Sequence, residues 1–466
     1  MTPTEALPKV LERIDADLDA SLARLFDFLK IQSISTDPAY ADQCNSAAQF
    51  VAKDLESLGL KAEVRPTSGH PVVIGKPDGA SGNGGPRVLF YGHYDVQPVD
   101  PLDLWETSPF NPRIEDLGNG RKIIVARGAC DDKGQLMTFL EACRAYKAVT
   151  GTLPLDITVM IEGEEECGSK GLFPFIKENA GEFKRDMALV CDTAMWNANT
   201  PSVTTSLRGL VYEDVTVTAA DRDLHSGLFG GAAANPIRVL AKALAALHDD
   251  DGRVTIPGFY DGVPELPDDI RADLKALNLT AEEFLGQIGL SIPSGEKGRM
   301  LIEMISTRPT CDVNGIIGGY TGEGAKTVIA GQAKAKVSFR LVGDQDPVKV
   351  QQGFRDFIRA RIPADCKVAF ENHGLAPALQ LPFDSPAIVK TRQALQEEWG
   401  NKAVTVGAGG SIPIVGDFKK VLGMDSLMVG FALDDDRVHS PNEKYDLSSF
   451  HKGTRSWARI LAALAS

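Results

Sequence analysis

Four short apolar runs constrain this chain more than any other feature. RVLFY (87–91), ITVMI (157–161), MALVC (187–191) and SLMVGF (426–431) read as strands. Segments of helical periodicity stand around them: residues 5–30, 47–58, 133–148, 386–399 and 450–465. Strands alternating with helices predict an α/β fold, a mostly parallel central sheet flanked by helices. Between about 207 and 380 the pattern changes to strand, helix, strand, strand, helix, strand, with a loop-rich stretch from 249 to 308. That stretch predicts an inserted α+β domain, so 1–206 and 381–466 form one domain and 207–380 another.

The strand ends hold the chemistry. RVLFY runs into GHYDVQP, with His93 and Asp95 two residues apart and on one side of an extended segment. ITVMI runs into EGEEECGS, which contains Glu165 and Glu166; MALVC runs into Asp192; SLMVGF precedes His439 in DDDRVHSPNEK. Asp131 and Asp132, in RGACDDKG, follow a glycine turn and open a helix. Each has an ordinary alternative. A His–Asp pair can stabilise a turn, adjacent acids can cap a helix, and a glutamate run can be a solvated face. A run of acids where a buried strand ends is costly, however, unless a cation lies there. In open α/β sheets, sites collect at the carboxyl ends of strands. Together these residues offer nitrogen and oxygen donors without cysteine, a set that suits zinc, cobalt or manganese in a hydrolytic two-metal site.

Composition excludes other classes. The 466 residues include 49 Lys+Arg and 63 Asp+Glu, a formal charge of −14. Such a surface disfavours nucleic acid and anionic lipid as partners. No apolar run reaches membrane-spanning length, and the N-terminus has no secretory apolar core. The 7 cysteines are widely spaced with no CxxC pair, which fits a reducing cytoplasm. Cys130, Cys167 and Cys191 each neighbour a candidate ligand and read as packing residues that point away from it.

In order and spacing, GHYDVQP, RGACDDKG, EGEEECGS, DLHSGLFGG and HSPNEK resemble the di-metal dipeptidase/carboxypeptidase/aminoacylase metallopeptidase family. The likeness is strongest to its cytosolic dipeptidase and carnosinase-like branch, and it spans about residues 20–460. The resemblance implies that His93 and Asp192 bind one metal, Glu166 and His439 the other, and that Asp131 bridges both. It implies a cis Asp131–Asp132 peptide, Asp95 orienting His93, and Glu165 as general base for a metal-bridged water. Two divalent ions are expected, zinc foremost, with manganese or cobalt as alternatives. His225, in DLHSGLFGG, is implied to reach the partner subunit's site across a homodimer interface. Arg340 is implied to hold a substrate carboxylate, with His373, Gly410 and Ser411 as further substrate contacts. Two departures bear on side-chain preference: Ala408 stands where this branch has an acid, and His373 lies in ENHGLAPALQLP rather than a glycine-rich stretch. The expected activity is hydrolysis of dipeptides or short peptides with a free C-terminal carboxylate. Hydrolysis of N-acyl or N-carbamoyl amino acids at the same metals is the alternative, and a non-catalytic metal-dependent binding protein a third reading.

Overall fold

The computed structural model describes residues 1–79, 85–118, 120–408 and 412–466. The chain forms two compact units. One comprises Met1–Thr205, Leu381–Val406 and Ile412–Ser466; Ser206–Gln380 makes up the body of the other. No helix among the described residues is long and apolar enough to cross a membrane.

In the first unit the four apolar runs lie side by side. The strand order is Asp156–Glu162, Arg87–His93, Met187–Val190, Ser426–Met428, and each neighbouring pair is parallel. From Val88 to His93 every residue of its strand is buried, as in a parallel sheet covered on both faces. Leu60–Arg65 and Val72–Pro77 extend one edge in antiparallel fashion.

Helix Lys133–Thr150 supplies much of the cover. It buries thirteen of its residues and ends at Gly151, whose φ of 78° needs no Cβ there. Phe139 of this helix stacks on Phe90 of the sheet, and Trp457 of helix Leu447–Ala465 meets both rings edge-on. Burying one such side chain contributes about 1.5–3 kcal/mol.

The helix expected over 5–30 is two helices, Pro3–Ala16 and Leu18–Leu29. The backbone leaves the helical path at Asp17 (φ −96°, ψ 7°), whose carboxylate accepts from Arg13. The break lets the first helix pack on both Lys133–Thr150 and Leu447–Ala465, while the second packs on Lys133–Thr150.

The second unit is built on an antiparallel sheet in the order Thr310–Gly318, Gln332–Leu341, Gly209–Thr218, Lys367–Ala376. Its two central strands, Gln332–Leu341 and Gly209–Thr218, largely alternate buried and half-buried residues. Helices Pro236–Ala245 and Pro347–Arg359 cover the apolar face, where Val215, Leu240, Val337, Phe339 and Phe354 form a core. Both helices start on an Asx cap followed by proline, Asn235-Pro236 and Asp346-Pro347. The 249–308 stretch contains short helices at Asp268–Ala276, Ala281–Leu285 and Leu301–Ser306.

Candidate metal centre

Strand Arg87–His93 delivers His93 fully buried at its carboxyl end. The chain must pass very close to the helix that starts at Lys133. A Cβ on Gly92 would lie 2.9 Å from Asp132 Oδ2, which accepts the His93 N–H at 3.2 Å. Asp95 meets the ring twice, first through its backbone carbonyl, 3.1 Å from His93 Nδ1. Its Oδ1 lies 3.3 Å from His93 Nδ1, and its two oxygens accept the N–H groups of Glu165 (3.3 Å) and Glu166 (3.1 Å). One buried carboxylate thus ties the end of one strand to the loop after its neighbour.

Asp131 stands between two histidines. Its Oδ1 is 3.1 Å from His93 Nε2, and its Oδ2 is 3.0 Å from His439 Nε2. Asp192 approaches the same His93 nitrogen at 3.9 Å, and Glu166 approaches the same His439 nitrogen at 3.2 Å. The Asp131–Asp132 peptide is cis. Two donor groups result, His93–Asp131–Asp192 and Asp131–Glu166–His439, each with its ligand atoms within 4.8 Å of one another. They share Asp131. Neither contains a cysteine. Cys130 donates to Asp436, and Cys191 accepts from the Trp457 indole.

The charges fit cations. Among the described residues, the ion-pair partners of Asp131, Asp192 and Glu166 are His93 and His439. Two like charges 4 Å apart at an effective dielectric near 20 repel by about 4 kcal/mol. Burial pushes the Asp192 carboxyl up, and the charge of Asp131 adds to the rise. Burial also pushes Glu166 up; His439 opposes this and Asp131 reinforces it. His439 is raised to about 10 by its hydrogen bonds to Asp131 and Glu166, so without a metal its own proton supplies the missing positive charge. Divalent ions would satisfy the same carboxylates and would leave both imidazoles as neutral ligands. Glu165 belongs to neither donor group. Burial raises it to about 7; His93 opposes the rise, while Glu166, Asp131 and Asp95 add to it.

The other expected contacts lie elsewhere. His225 is exposed in the second unit, where its Nδ1 accepts the Gly227 N–H at 3.0 Å beside the exposed Leu228 and Phe229. Arg340 is half-buried on strand Gln332–Leu341, opposite Leu210 and Thr310. His373 sits at a bulge in Lys367–Ala376, its Nε2 3.2 Å from Asp214 Oδ2. Asp214, Glu371 and His373 could also group around an ion. However, the ammonium groups of Lys334 (2.5 Å) and Lys336 (3.1 Å) already neutralise Asp214. Gly410 and Ser411 lie outside the described residues.

Gln97 escapes the sequence reading. Gln97 donates to Glu166 Oε2 at 2.7 Å; it stands in GHYDVQP, four residues after His93, and that proximity was the available signal. Asp132, paired with Asp131 as a candidate in the sequence, belongs to neither donor group and holds the His93 backbone.

The chain belongs to peptidase family M20/M25/M40, whose sequence profile matches residues 89–463. It is 31% identical over 479 residues to the Cys-Gly metallodipeptidase dug1 of Schizosaccharomyces pombe, covering 99% of each protein. It is 28% identical to the Beta-Ala-His dipeptidase of Homo sapiens, covering 99% of this chain and 94% of that protein. Among solved structures, an M20 family metallo-carboxypeptidase from Sulfolobus solfataricus aligns with a TM-score of 0.77 at 30% identity, covering 96% of this chain and 99% of that one.

Proposed function

We propose that this chain is a two-metal peptidase that cleaves the amide bond of dipeptides or short peptides bearing a free C-terminal carboxylate. The observation behind this reading is the pair of donor groups joined through Asp131, with Glu165 beside them and outside both. The relatives' names add weight, since two designate dipeptidases and one a carboxypeptidase. His93, Asp131 and Asp192 would hold one divalent ion and Asp131, Glu166 and His439 the other, with zinc first among the candidates and manganese or cobalt as alternatives. Such ions supply Lewis acidity that polarises an amide carbonyl and makes a water more acidic.

The chain's own residues do the rest. Asp95 faces His93 Nδ1, so Nε2 is left free to coordinate. Glu165 accepts the proton of the attacking water and returns it to the leaving amine. The tetrahedral oxyanion needs a further donor, and we assign it to His225 of a partner subunit in a homodimer. Arg340 pairs with the substrate carboxylate, because a planar guanidinium fork matches a carboxylate in bidentate fashion. His373, Gly410 and Ser411 are assigned to the substrate as well. The cytoplasm is the proposed compartment.

The test is a panel of dipeptides, longer peptides and N-acyl amino acids, assayed with zinc, manganese and cobalt. Dipeptides should give the highest kcat/KM. Faster turnover of N-acyl or N-carbamoyl amino acids would make the enzyme a deacylase at the same metals, and no turnover of any substrate would refute the reading.

A further inference from the structure

We propose that Glu443 is the positioning residue that sets the Asp131 carboxylate between His93 and His439. The proposal rests on the two-metal reading above. Glu443 is fully buried, four residues after His439 in HSPNEK. Its Oε1 accepts the backbone N–H groups of Cys130 (2.9 Å) and Asp131 (3.0 Å). Its Oε2 accepts the Gly128 N–H (2.9 Å) and the Arg127 guanidinium (2.7 Å). Both oxygens are therefore fully engaged. A buried carboxylate without partners is costly, so this one is built into its place.

The bonds end on the backbone of Asp131 itself. Three amides of the 128–131 loop converge on one carboxylate, a curvature that uses the positive φ of Gly128 (79°). Arg127 is anchored in turn. It donates to the Pro98 carbonyl at 2.9 Å and lies over the Trp105 ring at 5.4 Å.

On its other side Glu443 belongs to the loop that delivers His439. Arg437, His439 and Asn442 all have positive φ (55°, 62° and 60°). Non-glycine residues hold that conformation when the surroundings fix it. Around Asn442 the fixing contacts are visible. Asn442 accepts the Glu106 N–H and donates to the Leu104 carbonyl, the Glu443 carbonyl accepts the Ala126 N–H, and Lys444 pairs with Val125 in a small sheet. One side chain thus joins the two loops that supply the bridging carboxylate and the second histidine. A metal site tolerates only about 0.5 Å of ligand misplacement.

The experiment titrates the full-length chain with Mn²⁺ in competition with a chelator, well below the melting temperature. Wild type is compared with Glu443→Gln, Glu443→Asp and Val10→Ala. Gln places an amide NH₂ against N–H donors, whereas Asp keeps the charge for Arg127 but shortens the reach to Cys130 and Asp131. Val10 is buried in helix Pro3–Ala16, so Val10→Ala measures what general destabilisation does to affinity. The expected result is two ions per wild-type chain and binding weaker by roughly 10–100-fold in both Glu443 variants, with Val10→Ala close to wild type. Wild-type affinity in both Glu443 variants overturns the assignment, as does an equal loss in Val10→Ala. Failure of both Glu443 variants to fold overturns it too, since the residue would then be a fold determinant. A wild-type chain that binds fewer than two ions defeats the two-metal reading itself, and is told apart because the deficit is already present before any substitution.

Discussion

His93 and Asp95 form a buried couple, with Nδ1 of the ring 3.3 Å from Oδ1 of the carboxylate and neither side chain exposed. The same carboxylate accepts the Glu165 and Glu166 amides, so the ring and the glutamate loop are fixed together. Asp95→Asn should weaken metal binding and lower kcat/KM by roughly 10–100-fold, because the amide cannot accept both loop amides and also face the ring as an acceptor. Metal titration and steady-state kinetics read this out. Unchanged values in both would remove Asp95 from the account.

Glu165 belongs to neither donor group, and unlike Asp95 and Asp132 it is assigned the attacking water's proton. Glu165→Gln should lower kcat by roughly 10²–10⁴-fold as the proton acceptor is lost. Elemental analysis should find the same metal content as wild type. A variant that keeps its turnover would refute the general-base role, while one that loses its metals would make Glu165 a ligand instead.

The proposed role of His225 can be tested by mixing. Alone, His225→Ala should lose roughly 10²–10³-fold in kcat. Mixed and re-associated with Glu165→Gln, it should regain about a quarter of wild-type activity, because each hybrid of a two-fold dimer contains one intact site. If the mixture stays as inactive as its parents, the two residues serve the same subunit's site and the cross-subunit role is wrong.

The second unit contains an acid-sensitive clamp distant in sequence from the candidate metal ligands. Glu265 pairs with Arg299 at 2.5 Å, Arg271 at 3.1 Å and Arg308 at 3.5 Å. The Arg299 hydrogen bonds lead in holding its carboxyl down to about 2; burial opposes them, and Arg308 and Arg271 add to the lowering. A folded-state value below the unfolded one stabilises the fold above the ordinary value of 4.5, and that stabilisation is lost as pH falls toward about 2. The melting temperature of metal-free Glu265→Gln should therefore fall less steeply than wild type across this window. Identical slopes would show that the clamp does not contribute.

The central sheet was legible because strands buried on both faces must be apolar throughout. RVLFY and ITVMI satisfy that condition, and the polar residues that follow them mark where the sheet ends. Leu60–Arg65 was not legible, since an edge strand pairs through its backbone and its side chains LKAEVR mix apolar and charged residues. Strand Lys122–Val125 was equally hidden, because its partners are four-residue Arg113–Asp116 and Lys444–Asp446 from the far end of the chain. The same physics divided the site. His93, Asp131, Glu166, Asp192 and His439 sit where apolar runs stop or glycines turn, whereas Glu443 acts on backbone amides, which leave no pattern in side-chain chemistry. The helical run over 5–30 kept its periodicity across Asp17, so the break reflects tertiary packing rather than local preference.

The most direct test of the shared Asp131 is anomalous diffraction from zinc-loaded crystals of the full-length protein. Two zinc peaks are predicted roughly 3.5–4 Å apart, one beside His93 and Asp192 and the other beside Glu166 and His439, with Asp131 between them. A single peak at this site, or zinc bound instead at Asp214, Glu371 and His373, would contradict the account.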